Sequence, residues 1–193
     1  MRCLDKDFQV GTIFHVYNHA TDGQLLFYDD QDYEYFKIVF GMQLQKISAS
    51  IIAYCLMPNH YHFLIRQNDE AKIYKIFNYA FVSYARYYNK KYKRKGRIFR
   101  TPLQHKIVDD NTYLIQLCKY IHLNPVKAGL VDQPEDWEYS NYKEWVKMRD
   151  GKFYSKDICK DLFPNIQDYI TYVKSFCSFI RDTSFDDLLV NLD

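Results

Sequence analysis

Residues 50–67 read SIIAYCLMPNHYHFLIRQ, and this stretch decides the fold. Residues 50–56 are mostly apolar and include two isoleucines, a pattern that predicts a strand. Residues 57–59, Met-Pro-Asn, predict a tight turn, and the alternating residues His60–Gln67 predict a second strand. The sequence therefore predicts a β-hairpin whose second strand begins with a pair of histidines.

The segment before this hairpin supplies a strand and a helix. Residues 12–20 alternate and are rich in β-forming side chains, which predicts a first strand. A helix over residues 31–46 follows, with Asp29 and Asp30 as candidate N-caps. The hairpin is therefore preceded by a β-α unit.

The segment after the hairpin repeats this plan. Residues 70–92 predict a long amphipathic helix that ends before Gly96, and residues 101–108 predict a last strand. The buried stripe of the long helix is expected to contain Ile73, Ile76, Phe77, Ala80, Tyr84 and Tyr87. The order β-α-β-β-α-β predicts an α+β fold, a ferredoxin-like two-layer sandwich with an antiparallel sheet.

A further helix follows the last strand, capped by Asp109 or Asp110 and ending near Ile121 or Asn124. Asn124 with its following proline is a candidate N-cap for another helix, and residues 158–179 predict one or two more. We expect residues 1–150 to form one domain. Residues 151–193 are expected to form a helical extension that packs on the same domain.

The composition argues against a disordered or membrane-spanning chain. Of the 193 residues, 48% are apolar and 18% are aromatic, including 19 tyrosines. No apolar run approaches the roughly 18 residues that span a bilayer, and the first residues lack the apolar core of a signal peptide. The five cysteines are odd in number and form no CxxC pair. They suit reduced thiols, so we expect a cytoplasmic protein.

Charge is distributed unevenly along the chain, although the net charge is only +2. Residues 71–108 contain eleven of the 26 Lys and Arg residues and no Asp or Glu. The rest of the chain, with 15 basic and 24 acidic residues, therefore carries a net charge of −9. Such segregation favours a polyanionic partner such as nucleic acid. A solvated helix face is the alternative interpretation.

The sharpest chemical feature is the histidine pair in the hairpin. Because strand side chains alternate, His60 and His62 point to the same face, with Cβ atoms about 6–7 Å apart. Two imidazoles so placed can bind one metal ion, whereas Tyr61 is expected to face the opposite layer. The pair alone does not choose among Zn²⁺, Mn²⁺ and Mg²⁺, and an isolated HxH is also compatible with ordinary core packing.

The helix after the last strand offers further groups for such a site. Tyr120 and Asn124 are four residues apart and therefore lie on one helix face, with His122 and Gln116 as alternatives. A tyrosine close to a divalent cation and a phosphate is a candidate nucleophile. At this point a structural tyrosine and a helix-capping Asn124 remain open.

Four motifs occur in order along the chain and identify a family. They are residues 57–65 (MPNHYHFLI), 84–99 (YARYYNKKYKRKGRIF), 119–131 (KYIHLNPVKAGLV) and 135–142 (EDWEYSNY). With them the chain resembles the REP-associated tyrosine transposases, relatives of the IS200-like single-tyrosine transposases that move single-stranded insertion sequences. The resemblance covers residues 11–145.

This resemblance implies a nuclease of the HUH class. His60 and His62 are then metal ligands, and Tyr120 is the nucleophile that forms a 5′-phosphotyrosine and frees a 3′-hydroxyl. The insertion-sequence relatives complete the metal site with a glutamine, where this chain has the shorter Asn124. The expected cofactor is Mg²⁺ or Mn²⁺, which suit phosphate and amide oxygens.

The same resemblance implies single-stranded DNA with hairpin structure as the partner, and hence a nucleoid-associated protein. The first strand of many relatives ends with an arginine, where this chain has His19, a difference expected to alter a DNA contact. Tyr88, Tyr92 and Phe99 are candidates for stacking on unpaired bases. The candidate phosphate contacts are Arg86, Lys90, Lys91, Lys93, Arg94, Lys95, Arg97 and Arg100.

The function that these features predict is a transposase-like endonuclease and strand transferase acting on single-stranded DNA. Two alternatives remain. One is a protein of the same fold that binds hairpin DNA or RNA without catalysis, and the other is a metal-dependent phosphoesterase that uses water. Insertion-sequence relatives are dimers and REP-associated members can act as monomers, so a homodimer stays possible.

Overall fold

A four-stranded antiparallel sheet forms the centre of the protein in the computed structural model, which describes residues 8–151, 153–177 and 180, without the side chain of Asp22. Its order is β2-β3-β1-β4. The strands are β1 (Ile13–His19), β2 (Ala49–Met57), β3 (His60–Gln67) and β4 (Gln104–Val108). The predicted hairpin and all four predicted strands are confirmed. The last strand begins three residues later than expected.

The register of the sheet determines which side chains meet. In β1 and β3, His19 lies opposite His60 and Tyr17 lies opposite His62. Directly opposed residues of an antiparallel pair share a face, so the histidines of the two strands lie together. A bulge between Ile51 and Ala53 shifts the pairing of β2 with β3.

Helices α1 (Asp30–Leu44) and α2 (Tyr74–Lys91) pack on one face of the sheet. Asp29 caps α1, because its side chain accepts a hydrogen bond from the amide of Asp32. Tyr61 points into this layer and is fully buried among aromatic rings, as predicted. The first face of the sheet is therefore separate from the histidine face.

The opposite face is covered by α3 (Asn111–Lys127) together with the short α4 (Tyr142–Trp145) and the helices α5 (Lys156–Leu162) and α6 (Ile166–Cys177). Helix α3 lies mainly against β2 and also contacts α6. The β-α-β-β-α-β order of a ferredoxin-like fold is confirmed, and α3 with the C-terminal helices adds a layer on the histidine face.

Helix α3 corrects the prediction that a helix ends near Asn124 and another begins there. It runs through Pro125 to Lys127, so Asn124 lies inside the helix and is no N-cap. The helix ends at Gly129, which has a φ of 68° and donates to the carbonyl of Val126. Leu130 donates to Pro125, and these two bonds form the glycine-terminated end common in helices.

The predicted helical stretch over residues 158–179 is two helices, α5 and α6, and residues 178–179 lie outside the described part of the chain. Tyr169 and Val173 of α6 are buried. Among the residues that the structure describes, no helix has both the length and the apolar character needed to cross a membrane.

Candidate active site

Four histidines of β1 and β3 project together from the sheet toward α3. The ring centroids of His60 and His62 are 5.1 Å apart and the rings are nearly perpendicular. His19 stacks on His60 at 4.9 Å, and His15 stacks on His62 at 5.2 Å. The pair that the sequence singled out is thus flanked on both sides by a further imidazole.

Hydrogen bonds determine which nitrogen of each ring is presented. Nδ1 of His62 lies 2.9 Å from Nε2 of His15 in a buried contact, which leaves Nε2 of His62 for a ligand. Nδ1 of His60 lies 2.7 Å from Oδ1 of Asn59. A carbonyl oxygen only accepts, so the neutral His60 ring protonated at Nδ1 has a free lone pair on Nε2.

That Nε2 atom of His60 faces helix α3, where it lies 3.2 Å from Oδ1 of Asn124. With the ring proton on Nδ1, this nitrogen and the amide oxygen both have a lone pair to offer to a shared cation. Asn124 is only 6% exposed, and within the described part of the chain its buried Nδ2 atom has no hydrogen-bond partner. The amide is therefore buried beside the histidine pair, where its oxygen can serve as a metal ligand.

Burial keeps these imidazoles neutral. Desolvation lowers the pKa of His60 to about 4, partly offset by Asn124, and it lowers the pKa of His15 to about 3. It also brings the pKa of His62 well below the ordinary value. A neutral imidazole is the form that binds metal ions, so the ring nitrogens are available at neutral pH.

Tyr120 completes the cluster from α3. Its ring centroid is 5.4 Å from that of His62 and the two rings are nearly perpendicular. Burial raises the pKa of the Tyr120 phenol to about 12, and the side chain of Asn124 opposes this rise. As predicted from their spacing, Tyr120 and Asn124 lie on one helix face, and that face meets the histidines.

The donor set suits a divalent cation that prefers mixed nitrogen and oxygen ligands. Among the described residues, no three His, Cys, Asp or Glu side chains converge as a metal cluster. A metal here would thus be held by His60, His62 and the amide oxygen of Asn124. Water or substrate oxygens would supply the remaining ligands, an open arrangement typical of catalytic sites.

Comparison with known proteins agrees with this geometry. The sequence profile of the family described as Transposase IS200 like matches residues 13–124, which include both histidines, Tyr120 and Asn124. The chain belongs to the IS200-like transposase family. This IS200-like transposase is similar to a Haemophilus influenzae protein named as a REP-associated tyrosine transposase. The two are 30% identical over 123 residues, covering 58% of this chain and 69% of the relative.

The fold of this transposase is also similar to a solved structure, described as the REP-associated tyrosine transposase bound to a REP hairpin. The TM-score is 0.59 at 15% identity, over 77% of this chain and 94% of the other. At that identity the likeness shows a shared fold. The resemblance predicted from the four motifs is confirmed.

Most of the predicted DNA-contacting side chains of the transposase are available to a ligand. Helix α2 and the loop after it expose Arg86, Lys90, Lys93, Lys95, Arg97 and Arg100. Arg94 is half-buried and lies over the ring of Tyr88 with its guanidinium 5.5 Å from the centroid. The six exposed side chains thus form a cationic surface, whereas Arg94 and Lys91 are held by contacts within the protein.

Lys91 departs from this pattern. Its ammonium lies 2.7 Å from a carboxylate oxygen of Asp29 and 2.8 Å from one of Asp32. Because Asp32 is completely buried, Lys91 compensates a charge that would otherwise be isolated in the core. We therefore revise the expectation that Lys91 contacts DNA.

The expectation that Tyr88 stacks on bases is wrong. Tyr88 is buried and its hydroxyl donates to the carbonyl of Leu25. Tyr92 is half-buried and donates to Asp32. These hydroxyl bonds explain much of the tyrosine content of this layer, because each ring fills the core while its hydroxyl satisfies a buried acceptor.

The alternation of residues 12–20 implies that His15 and His19 share a face of β1, but the sequence does not show that this face meets His60 and His62. Their alternation was visible, whereas the register that sets Tyr17 opposite His62 was not. His122, an alternative ligand on sequence grounds, is excluded. Its two ring nitrogens are occupied by Tyr169 at 2.6 Å and Asn141 at 2.9 Å, on the far side of α3.

Proposed function

We propose that this transposase cleaves and rejoins single-stranded DNA beside a hairpin, with Tyr120 as the nucleophile. The observation that carries the proposal is the position of Tyr120, whose ring packs against His62 while Asn124, one turn further on, contacts His60. A phosphate next to this cluster would lie within reach of one nucleophile and three metal-binding groups.

His60, His62 and Asn124 would hold Mg²⁺ or Mn²⁺. When bound, the cation supplies positive charge that stabilises the phosphate as negative charge develops on it. The histidines contribute neutral nitrogen donors because burial lowers their pKa. His15 contributes indirectly, since its contact with Nδ1 of His62 orients that ring.

In the proposed reaction a bond forms between the Tyr120 phenol oxygen and the phosphorus of the scissile phosphodiester. The bond from phosphorus to the 3′ oxygen of the upstream strand breaks. The phenol loses its proton, and the departing 3′ oxygen gains one to become a hydroxyl. The products are a 5′-phosphotyrosine and a free 3′-hydroxyl. Because the phosphotyrosine linkage is again a phosphodiester, a 3′-hydroxyl can attack it and reverse the step.

Hairpin DNA is the proposed substrate. The similar solved structure is described as bound to a REP hairpin, and this chain offers exposed cations beside the candidate active site. Lys93, Lys95 and Arg97 lie in the segment that joins α2 to β4. Phosphate contacts of this kind give affinity and orientation, and they do not choose a sequence.

A covalent-adduct assay tests the proposal. The protein is incubated with Mn²⁺ and DNA hairpins taken from inverted repeats beside its gene, each with single-stranded flanks. A DNA–protein band on a denaturing gel is expected, and it should disappear with Tyr120→Phe. Tyr113→Phe, a half-buried tyrosine of the same helix, is the matched control and should retain the band.

The alternatives give different results in the same assay. Cleavage without an adduct, retained in Tyr120→Phe, would indicate a phosphoesterase that uses water. Binding without cleavage, with each of these hairpins and with either metal, would indicate a binding protein. His60→Ala and His62→Ala should abolish the adduct while leaving metal-free DNA binding intact, because the cations proposed to contact phosphates are unchanged in both variants.

A further inference from the structure

A shallow groove of about 290 Å³ lies between α2 and the loop that leads into β4. Phe81 and Val82 line it from the helix, and Phe99 and Leu103 line it from the loop. The rings of Phe81 and Phe99 stack on each other at 4.3 Å. The groove thus has an apolar wall that includes two aromatic rings, and its volume is at the small end of the sizes typical for ligand sites.

Positive charge surrounds this apolar slot. Arg97 and Arg100 line the same groove and are exposed, and the segment that contains them has no acidic residue. Nucleotides combine a flat apolar ring with a phosphate, so an apolar slot edged by guanidinium groups is complementary to them. A peptide partner would need acidic groups at matching positions to satisfy both arginines.

The groove lies on the α1–α2 side of the sheet, where Phe81 and Phe99 contact Tyr61, and the end of β1 links it to the histidine cluster on the opposite face. Asn18 lines the groove and donates to the carbonyl of Arg100 at 2.7 Å. The next residue, His19, stacks on His60. The amide of Arg100 donates to the carbonyl of His19 at 2.9 Å. The end of β1 therefore fixes the position of the groove relative to His60 and His62.

Arg100 acts on both sides of this connection. It lines the groove, and its backbone amide bonds to the carbonyl of His19, the residue that stacks on His60. A phosphate near Arg100 would lie between the groove and the candidate active site.

We propose that this groove binds a base of the single strand that contains the scissile phosphate. The inference rests on the proposed function, since it names a contact to the same DNA substrate. The base enters the slot between α2 and the loop, with Arg97 and Arg100 on the adjoining phosphates. Its role is to position the strand, so that one particular phosphodiester reaches Tyr120.

The test separates base contacts from phosphate contacts. Affinity is measured in EDTA, where no cleavage occurs, for an oligothymidylate of about twelve nucleotides and for an abasic strand of equal length. Both probes carry the same phosphates. Wild-type protein should prefer the oligothymidylate about tenfold, the value expected for one stacked base. Equal affinities would overturn the proposal.

A matched pair of variants assigns that preference to the groove. Val82→Glu places a carboxylate at the groove wall on a side chain that is 51% exposed, and Ile38→Glu places one on α1 at a site that is 54% exposed. The added charge weakens both probes alike, so only the ratio of their affinities is informative. Val82→Glu should bring the ratio close to one, and Ile38→Glu should leave it unchanged.

Photo-crosslinking supplies the location. Oligonucleotides containing 4-thiothymidine should cross-link to peptides that contain Phe81, Phe99 or Leu103, whereas cross-links confined to other surfaces would overturn the proposal. The result is independent of catalysis. If the covalent adduct forms but the affinity ratio is one, only the groove is refuted. If the ratio holds without an adduct, only the proposed reaction fails.

Discussion

At the scale of single residues, the main addition to the sequence pattern is His15. This imidazole is buried and contacts His62 through a 2.9 Å pair of ring nitrogens. A metal-binding histidine depends on such a partner, because the second hydrogen bond selects the tautomer and the ring orientation. We therefore regard His15 as a positioning residue for the proposed metal site.

Replacing His15 tests this role. His15→Ala should lower Mn²⁺ affinity by about 10–100-fold, the range typical for loss of a partner to a metal ligand. His15→Gln should restore part of the affinity, since an amide can also hydrogen-bond to Nδ1 of His62. The measurement is isothermal titration with Mn²⁺. His105→Ala, a half-buried histidine of β4 on the other face of the sheet, should bind as wild type does. A loss shared by both alanine variants would contradict the account.

Asn124 allows its two sequence interpretations to be separated. A capping asparagine costs about 1 kcal/mol of stability when replaced by alanine, but Asn124 lies inside α3. We expect Asn124→Ala to leave the free energy of unfolding of the metal-free protein unchanged or slightly raised, while Mn²⁺ affinity and adduct formation fall. Urea unfolding and metal titration give the two values. A destabilised variant with normal metal affinity would show that the residue is structural.

At the scale of elements, α3 is held by a buried polar network on its far side. His122 bonds to Tyr169 of α6 and to Asn141. Asn141 in turn accepts from the amide of Tyr54 at 2.7 Å and donates to the carbonyl of Ile52 at 3.0 Å. One asparagine therefore joins α3 to β2 and determines how Tyr120 is presented to the histidines.

Removal of this asparagine should affect stability and chemistry together. Asn141→Ala leaves the amide of Tyr54 and one nitrogen of His122 without a partner, whereas the carbonyl of Ile52 keeps the hydrogen bond from the indole of Trp145. At about 1–3 kcal/mol for each buried group left unsatisfied, we expect a loss of about 3 kcal/mol in urea unfolding. Tyr169→Phe removes a single hydrogen bond and should cost about 1 kcal/mol. If both variants unfold like wild type, α3 is not held in this way.

Several helices and strands could be predicted from local sequence patterns, and one helix end could not. The alternation of β1 and β3 and the amphipathic period of α2 predicted their position and type, because each depends on local geometry alone. The predicted end of a helix at Asn124 was wrong. A proline removes only one backbone donor, and the buried Val126 with the end at Gly129 keeps the helix going. Packing beyond the proline outweighed the local signal.

In the candidate site, too, neighbours within one element could be predicted from the sequence, and contacts between elements could not. Periodicity placed His60 with His62 and Tyr120 with Asn124. The contacts between these two pairs, and the contribution of His15, depend on strand register and on how α3 lies on β2. Tyr88 was misjudged for the same reason, since its buried hydroxyl contact with Leu25 joins residues far apart in sequence.

At the scale of the whole molecule, the basic side chains of α2 and the following loop divide into exposed ones and one that stabilises the fold. The exposed cations of α2 and the following loop face solvent, whereas Lys91 serves the buried Asp32, which also accepts hydrogen bonds from Tyr92 and from the amide of Tyr28. The exposed Lys95 and the ion-paired Lys91 therefore allow a basic side chain that faces solvent to be compared with one that supports the fold.

Salt dependence of DNA binding should distinguish them. Lys95→Met should reduce the slope of log affinity against log salt by about 0.7, the effect of one phosphate contact on single-stranded DNA, with normal stability. Lys91→Met should leave the slope unchanged and lower the free energy of unfolding by about 2 kcal/mol, because Asp32 loses a charged partner. Fluorescence anisotropy at several salt concentrations and urea unfolding provide the data. Interchanged effects would refute this division.

The proposed covalent attachment of Tyr120 to DNA can be measured directly. The adduct formed with Mn²⁺ is digested with nuclease and trypsin and analysed by mass spectrometry. Cleavage after Lys119 leaves Tyr120 at the start of the peptide YIHLNPVK. The account predicts a nucleotide joined through its 5′ phosphate to the tyrosine of this peptide. Attachment at any other tyrosine, or a cut strand whose protein carries no nucleotide, would contradict it.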